Sequence, residues 1–186
     1  MSGFIFVCAV SVFAAFAVGT KRHFKSTAFP SGMVAVSFLS IASFLAFTAG
    51  LMFQPAGMPY SAIGLIFIIS AGLLFTAALR TTRAASLKLA FDRGTPASII
   101  RTGPYKYVRH PFYASYLLFW AGCLLAAPSA AAGILFIALT AAYAASARLE
   151  ERDFSNSPLA AAYADYCKGA GLFWPKPNLR RGVLGL

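Results

Sequence analysis

The chain has 186 residues, of which 59% are apolar and only 11% charged, with a mean hydropathy of +0.71. This excludes an ordinary soluble domain, which needs charge to cover its surface. The charge is basic, 16 Lys and Arg against 5 Asp and Glu. It flanks apolar runs, which fits lipid headgroups and membrane topology rather than nucleic acid. The 3 cysteines show no CxxC or Cys/His ligand spacing, so neither a disulfide nor a metal site is expected.

Residues 1–20, 26–79 and 112–147 contain no Asp, Glu, Lys or Arg. A span needs roughly 20 apolar residues at ~1.5 Å rise each. The second stretch therefore holds two spans and the third two short ones. Gln54-Pro55-Ala56-Gly57-Met58-Pro59 and Ala127-Pro128-Ser129 break them near their middles, since proline cannot continue the helical ladder. The expected fold is all-α, a polytopic membrane protein with helices over 3–19, 33–53, 60–79, 111–127 and 129–148.

Lys21, Arg22 and Lys25 follow the first helix. Arg80, Arg83, Lys88, Arg93, Arg101, Lys106 and Arg109 separate the third from the fourth. Arg148, Arg152, Lys168, Lys176, Arg180 and Arg181 follow the fifth. Five spans put all 16 cations on one side, whereas four or six would split them. The positive-inside rule makes that side cytoplasmic, with the N-terminus outside and the C-terminus inside. In the first segment the positive charge follows the apolar run, the reverse of a secretory signal peptide, so a retained helix is expected.

Two polar regions on that side are long enough for chemistry: the loop over 80–110 and the tail from Arg148. Helix–helix connections usually take about 2–8 residues, and this loop has about thirty. It closes with a Gly103-Pro104 turn and then Arg109-His110-Pro111. Proline suits the first position of a helix, which puts His110 at the cap, where free N–H groups favour an anion. A histidine that merely caps the helix is the plainer alternative. The tight hairpin around Pro128 brings the start of the fourth helix and the end of the fifth together. Arg148, Glu150, Glu151 and Asp153 then approach Tyr105, Arg109, His110 and Tyr113. Acids at a helix C-terminus are unfavourable by roughly 0.3–1 kcal/mol each, so they call for partners: loop arginines, or a ligand. Ser157-Pro158 predicts a further short amphipathic helix carrying Leu159, Tyr163 and Tyr166 on one face, lying on the membrane or over the loop.

Gly103-Pro104-Tyr105, Arg109-His110-Pro111-Phe112-Tyr113, Glu150-Glu151, Tyr163-Ala-Asp-Tyr166 and Pro175 occur in order. In this the chain resembles the isoprenylcysteine carboxyl methyltransferases and their phospholipid methyltransferase relatives over about 80–175. The resemblance implies a methyltransferase that uses S-adenosylmethionine (SAM), with accessory spans over 1–59 and a methyltransferase-like core over 60–178. It implies cofactor binding by Ala97, Ser98, Ile99, Ile100, Tyr105, His110, Pro111, Phe112, Tyr113 and Glu150. The acceptor would be a lipophilic small molecule or lipid with a carboxylate, amine or hydroxyl, entering from the bilayer. Arg148 or Arg109 would place a carboxylate, and Glu151 would deprotonate an amine. The family's arginine one turn before the acidic pair is replaced here by Ser146, with Arg148 two residues later. Its later arginine near the final proline is replaced by Leu172-Phe173-Trp174. The rival expectations are an NADPH-dependent sterol-type membrane reductase and a non-catalytic membrane scaffold.

Overall fold

The computed structural model describes residues 1–23, 31–82 and 98–177. Six helices follow in order: α1 (Ser2–His23), α2 (Ser31–Phe53), α3 (Met58–Thr81), α4 (Pro111–Ala126), α5 (Ala130–Ser155) and α6 (Ala160–Gly169), with a 3₁₀ turn at Gly103–Lys106. Four of these, α1, α2, α3 and α5, are long and apolar enough to cross a membrane, and α4 is a shorter apolar helix. Phe4, Phe38, Leu45, Ile66, Leu73 and Ile137 stand exposed around the bundle. In water such a band is an aggregation hazard, whereas hydrocarbon solvates it. The serine and threonine hydroxyls on these helices turn inward onto their own backbones, as Ser37 does to Met33 O and Thr48 to Phe44 O, both at 2.8 Å. That satisfies them where no water is available. The chain reads as an integral membrane protein.

Short α4 is the hub. Trp120, Cys123 and Phe119 are buried on it, as are Phe112 and Tyr113 at its start. Antiparallel α3 packs against it through Ser61, Gly64, Ile68, Ala71, Phe75 and Ala78, its buried stripe. The two backbones nearly touch: a Cβ at Gly64 would lie 2.6 Å from Gly122 O, and one at Gly122 would lie 2.7 Å from Gly64 O. Only glycine permits that approach. On the other sides, α1 reaches α4 through Phe16 and Tyr116 (centroids 4.9 Å apart), and α2 through Gly50 against Ala127.

The breaks fall where proline and glycine put them. Ser129 caps α5 by accepting from Ala132 N at 3.1 Å. The fifth helix runs to Ser155, seven residues past the expected end. It continues because the acids in its last turns are partnered from elsewhere in the chain. The sixth helix starts at Ala160, and Ser157 forms a turn before it by accepting from Leu159 N at 3.1 Å.

Candidate active site

His110 is the N-cap of α4, with Pro111 behind it, but its side chain makes no capping hydrogen bond. The imidazole instead turns toward α5. Nδ1 lies 3.4 Å from Glu150 Oε2 and Nε2 lies 3.5 Å from Glu151 Oε1. Nε2 is the one buried side-chain nitrogen or oxygen among the described residues without a hydrogen bond. The ring stacks on Tyr113 at 5.6 Å. Burial opposes charge on the imidazole, but the hydrogen bonding and charge of the two carboxylates outweigh it, so its pKa stands above the ordinary histidine value.

The two acids are held differently. Glu151 accepts from Arg109 Nε at 2.7 Å and from Tyr163 Oη at 3.3 Å. Arg109 also donates through Nη1 to Ala170 O at 2.7 Å. Burial disfavours this guanidinium charge, and Glu151 more than restores it. Glu150 accepts a short hydrogen bond from Tyr113 and lies 3.4 Å from Ser146 Oγ. Tyr113 and Ser146 hydroxyls are 2.9 Å apart. Glu150 is the more exposed acid, at 39% of its side chain against 25% for Glu151.

The walls come from three further segments. The 3₁₀ turn begins with Gly103 at φ 55°, where any Cβ would strike Thr81 Oγ1 at the end of α3. The turn is thereby pressed onto α3 and presents Tyr105, whose phenol is pushed well above its usual pKa by burial and then by the Glu150 charge. Helix α6 closes over it: Tyr166 donates to Tyr105 O at 2.6 Å and Arg101 Nη2 to Ala162 O at 2.5 Å. The chain after α6 then pairs with the approach to α4, with Arg109 N donating to Gly171 O at 2.7 Å and His110 N to Leu172 O at 3.2 Å. That strap sets Phe173 edge-on to His110 and Tyr113, at 6.2 and 6.4 Å.

The sequence profile of the phospholipid methyltransferases matches residues 59–160, more than half of the chain, covering α4, α5 and all but the first residue of α3. The chain belongs to the phospholipid methyltransferase family. No curated protein and no solved structure matches it. As a family member it is a membrane methyltransferase.

Within this family member the structure gathers Tyr105, Arg109, His110, Pro111, Phe112, Tyr113, Glu150 and Glu151 at one end of the bundle. Ile99 packs under α6 with Tyr163, Tyr166 and Ala170. Ile100 is partly buried and Ser98 is exposed. Ala97 lies outside the described residues. Arg148 is not brought to the cluster. It is exposed, and its two-residue offset from both Ser146 and Glu150 rotates it about 200° around α5, onto the opposite side. The imidazole at 110 also sits between carboxylates rather than over the helix N-terminus, because the acids of α5 compete for it. Sequence reasoning missed Ser146 as a partner of Glu150, although its spacing of one helical turn was a usable signal. It left Tyr163 and Tyr166 either on the membrane or over the loop, and Tyr166 lies over the loop; it gave no signal for Phe173.

Proposed function

We propose that the chain is a SAM-dependent methyltransferase acting on the amine of a lipophilic or lipid acceptor, with its site at the cytoplasmic face of a five-span bundle. The observation that carries the choice of acceptor is the sign of the site. Glu150 and Glu151 flank His110 on both sides, and Glu151 together with Ala170 O takes up Arg109, so both positive groups near the acids are already matched. A carboxylate acceptor would find no free cation there. An ammonium would find a half-exposed carboxylate beside the faces of Tyr113 and Phe173.

SAM suits the donor set. His110 offers a buried nitrogen without a hydrogen bond, Tyr105 lies close enough to Glu150 to feel its charge, and Ile99 packs under α6. The orphaned Nε2 of His110 favours a hydrogen-bonding group of the ligand, and Glu150 favours ligand amine and hydroxyl groups. When bound, SAM supplies a methyl carbon activated by its sulfonium.

The chain's own residues do the rest. An amine attacks only as the free base, so one proton must leave the acceptor nitrogen. We assign that proton to Glu150, not to the expected Glu151, because Glu151 already accepts from Arg109 and Tyr163 while Glu150 is the more exposed of the two. Tyr113 and Ser146 fix the Glu150 carboxylate, and Tyr163 and Arg109 fix Glu151. Phe173 and α6 exclude water, so the nitrogen is desolvated and aligned. Such positioning accounts for up to ~7–11 kcal/mol of a barrier in favourable cases.

The test is transfer of radiolabelled methyl from SAM to membrane lipids extracted and separated by headgroup, with calorimetric SAM binding alongside. Label in amine-headed lipids is expected, lost in Glu150→Gln with SAM binding weakened less than turnover. Absence of SAM binding by folded protein overturns the enzyme assignment, and label in carboxylates alone overturns the amine assignment.

A further inference from the structure

Two tyrosines one turn apart on α4, Tyr113 and Tyr116, are each met by a hydroxyl from a different helix. Tyr113 Oη lies 2.9 Å from Ser146 Oγ of α5, and Tyr116 Oη lies 3.2 Å from Thr20 Oγ1 at the end of α1. Other hydroxyls on the long helices close onto carbonyls one turn back: Ser11 onto Val7 O, Thr76 onto Gly72 O and Thr140 onto Phe136 O. Thr20 crosses to another helix, as Ser146 does at the site. In a bundle surrounded by hydrocarbon no water stands ready to replace such a pair, so it fixes both partners.

The end of α1 is shaped for this contact. Phe16, Gly19 and Thr20 share one of its faces. A Cβ at Gly19 would lie 2.6 Å from the Phe75 ring, so glycine lets α1 close onto α3 there. Phe16 meets Phe75 at 4.7 Å and Tyr116 edge-on at 4.9 Å, and Phe75 meets Phe112 at 5.4 Å. The last turns of α1 therefore grip α3 and α4 next to Phe112 and Tyr113.

From Tyr116 the contacts lead to the acid. The Tyr143 ring touches both tyrosines of α4, at 5.5 Å from Tyr116 and 5.6 Å from Tyr113. Its hydroxyl is hydrogen-bonded to Trp120 and Ser40, so it does not swing aside to absorb a shift of Tyr116. Tyr113 in turn holds Glu150 by its short hydrogen bond. Close-packed rings of this kind pass a displacement on.

We infer that Thr20 and Tyr116 are a positioning pair for Glu150, acting through Tyr143 and Tyr113. By this route α1, which precedes the family-matched segment 59–160, sets the geometry of the acid that takes the acceptor proton. The inference rests on the methyltransferase reading above for the role of Glu150 alone.

Thr20→Val and Tyr116→Phe each remove a hydroxyl and keep the packing volume. With phosphatidylethanolamine as acceptor, each should lower kcat roughly 3–10-fold, the worth of one neutral hydrogen bond, with KM for SAM and lipid unchanged. The double variant should be no worse than either single one, and Thr20→Ser should recover most of the rate. Thr76→Val, which loses a hydroxyl bonded only to its own helix, is the control and should be unaffected. A second readout needs no turnover. In the full chain labelled with 3-fluorotyrosine and assigned by single Tyr→Phe variants, Thr20→Val should shift the fluorine resonances of Tyr116, Tyr143 and Tyr113. Those of Tyr163 and Tyr166, in the separate cluster under α6, should stay in place.

Additive losses in the double variant, a raised KM at unchanged kcat, or a lowered melting temperature with full kcat overturn the inference, since a merely structural contact would behave so. A fluorine shift confined to Tyr116 overturns it as well. A wild-type protein that transfers no methyl group sinks the activity, and the fluorine spectra then decide by themselves whether α1 is coupled to Tyr113.

Discussion

At the scale of single residues, the Arg109–Glu151 pair decides whether the two ends of the site stay joined. Arg109 belongs to the approach to α4, Glu151 to α5, and Ala170 to the strap after α6. One guanidinium therefore ties three segments. Arg109→Ala strands Glu151 beside buried surroundings. The expected cost is about 2–3 kcal/mol, below the ~3–5 kcal/mol of a fully buried broken pair because a quarter of Glu151 remains exposed. Arg109→Lys should recover only part of it, since an ammonium cannot fork to both acceptors in the same geometry. A melting series on the purified protein measures both. His110 makes a prediction of opposite pH sense to that of a depressed carboxylate. Its folded pKa is raised by Glu150 and Glu151 against the effect of burial. A raised pKa contributes stability that is fully present below the unfolded value of about 6.5 and is lost as pH rises through the folded value. The melting temperature should therefore fall as pH rises above neutrality. His110→Gln should flatten that part of the profile, and an unchanged slope in the variant would refute the assignment.

At the scale of elements, the α3–α4 contact is set by two glycines. Gly64→Leu or Gly122→Leu must drive a side chain into facing backbone, which cannot yield as a flexible side chain would. A loss of about 3 kcal/mol, the upper end of the overpacking range, is expected, with activity lost through displacement of Phe112 and Tyr113. Gly133 is the control: a Cβ there meets nothing within 4 Å, so Gly133→Ala should stabilise α5 by about 1 kcal/mol through helix propensity alone. Thermal melts of the three variants in one detergent check the signs. The same elements show what could be read in advance. Long uncharged runs and the Pro–Gly breaks locate α1, α2, α3 and α4 to within a few residues, because hydrocarbon length is a crude but strict ruler. The hairpin arithmetic brings His110 toward Glu150 for the same reason. The last turns of α5 were not legible, because Glu150 and Glu151 disfavour a helix end locally and are stabilised by side chains about 40 residues away in sequence, Tyr113 and Arg109. The side of α5 on which Arg148 sits was recoverable from 100° per residue. The placement of Phe173 was not, since backbone pairing with Tyr107–His110 has no periodic signature.

At the scale of the whole molecule, packing fixes relative helix directions even where the membrane itself is not seen. Val12 meets Gly72 and Gly19 meets Phe75, so α1 runs parallel to α3. Gly50 meets Ala127 and Phe47 shares a cleft with Cys123, so α2 runs parallel to α4. Phe75 meets Phe112 while Gly64 meets Ala126, so α3 and α4 oppose each other. The ends of α1, α3 and α5 and the start of α4 therefore share one end of the bundle, with Lys21, Arg22, Arg80, Arg101, Lys106, Arg109, Arg152, Lys168 and Lys176 all there or in the segments adjoining it. At 16 residues, α4 measures about 24 Å against a hydrocarbon thickness of ~30 Å. It tolerates the mismatch because its neighbours, rather than lipid, surround it. If α4 nevertheless crosses, the cationic end faces the cytoplasm by the positive-inside rule. A fluorescent reporter fused after residue 177 should then be active, and a reporter active only outside should work when inserted between Gln54 and Gly57 and when fused after Pro128. A fusion at 128 that reports inside while that at 54–57 reports outside would mean that α4 re-enters without crossing, and would move α5 and the proposed cytoplasmic site with it.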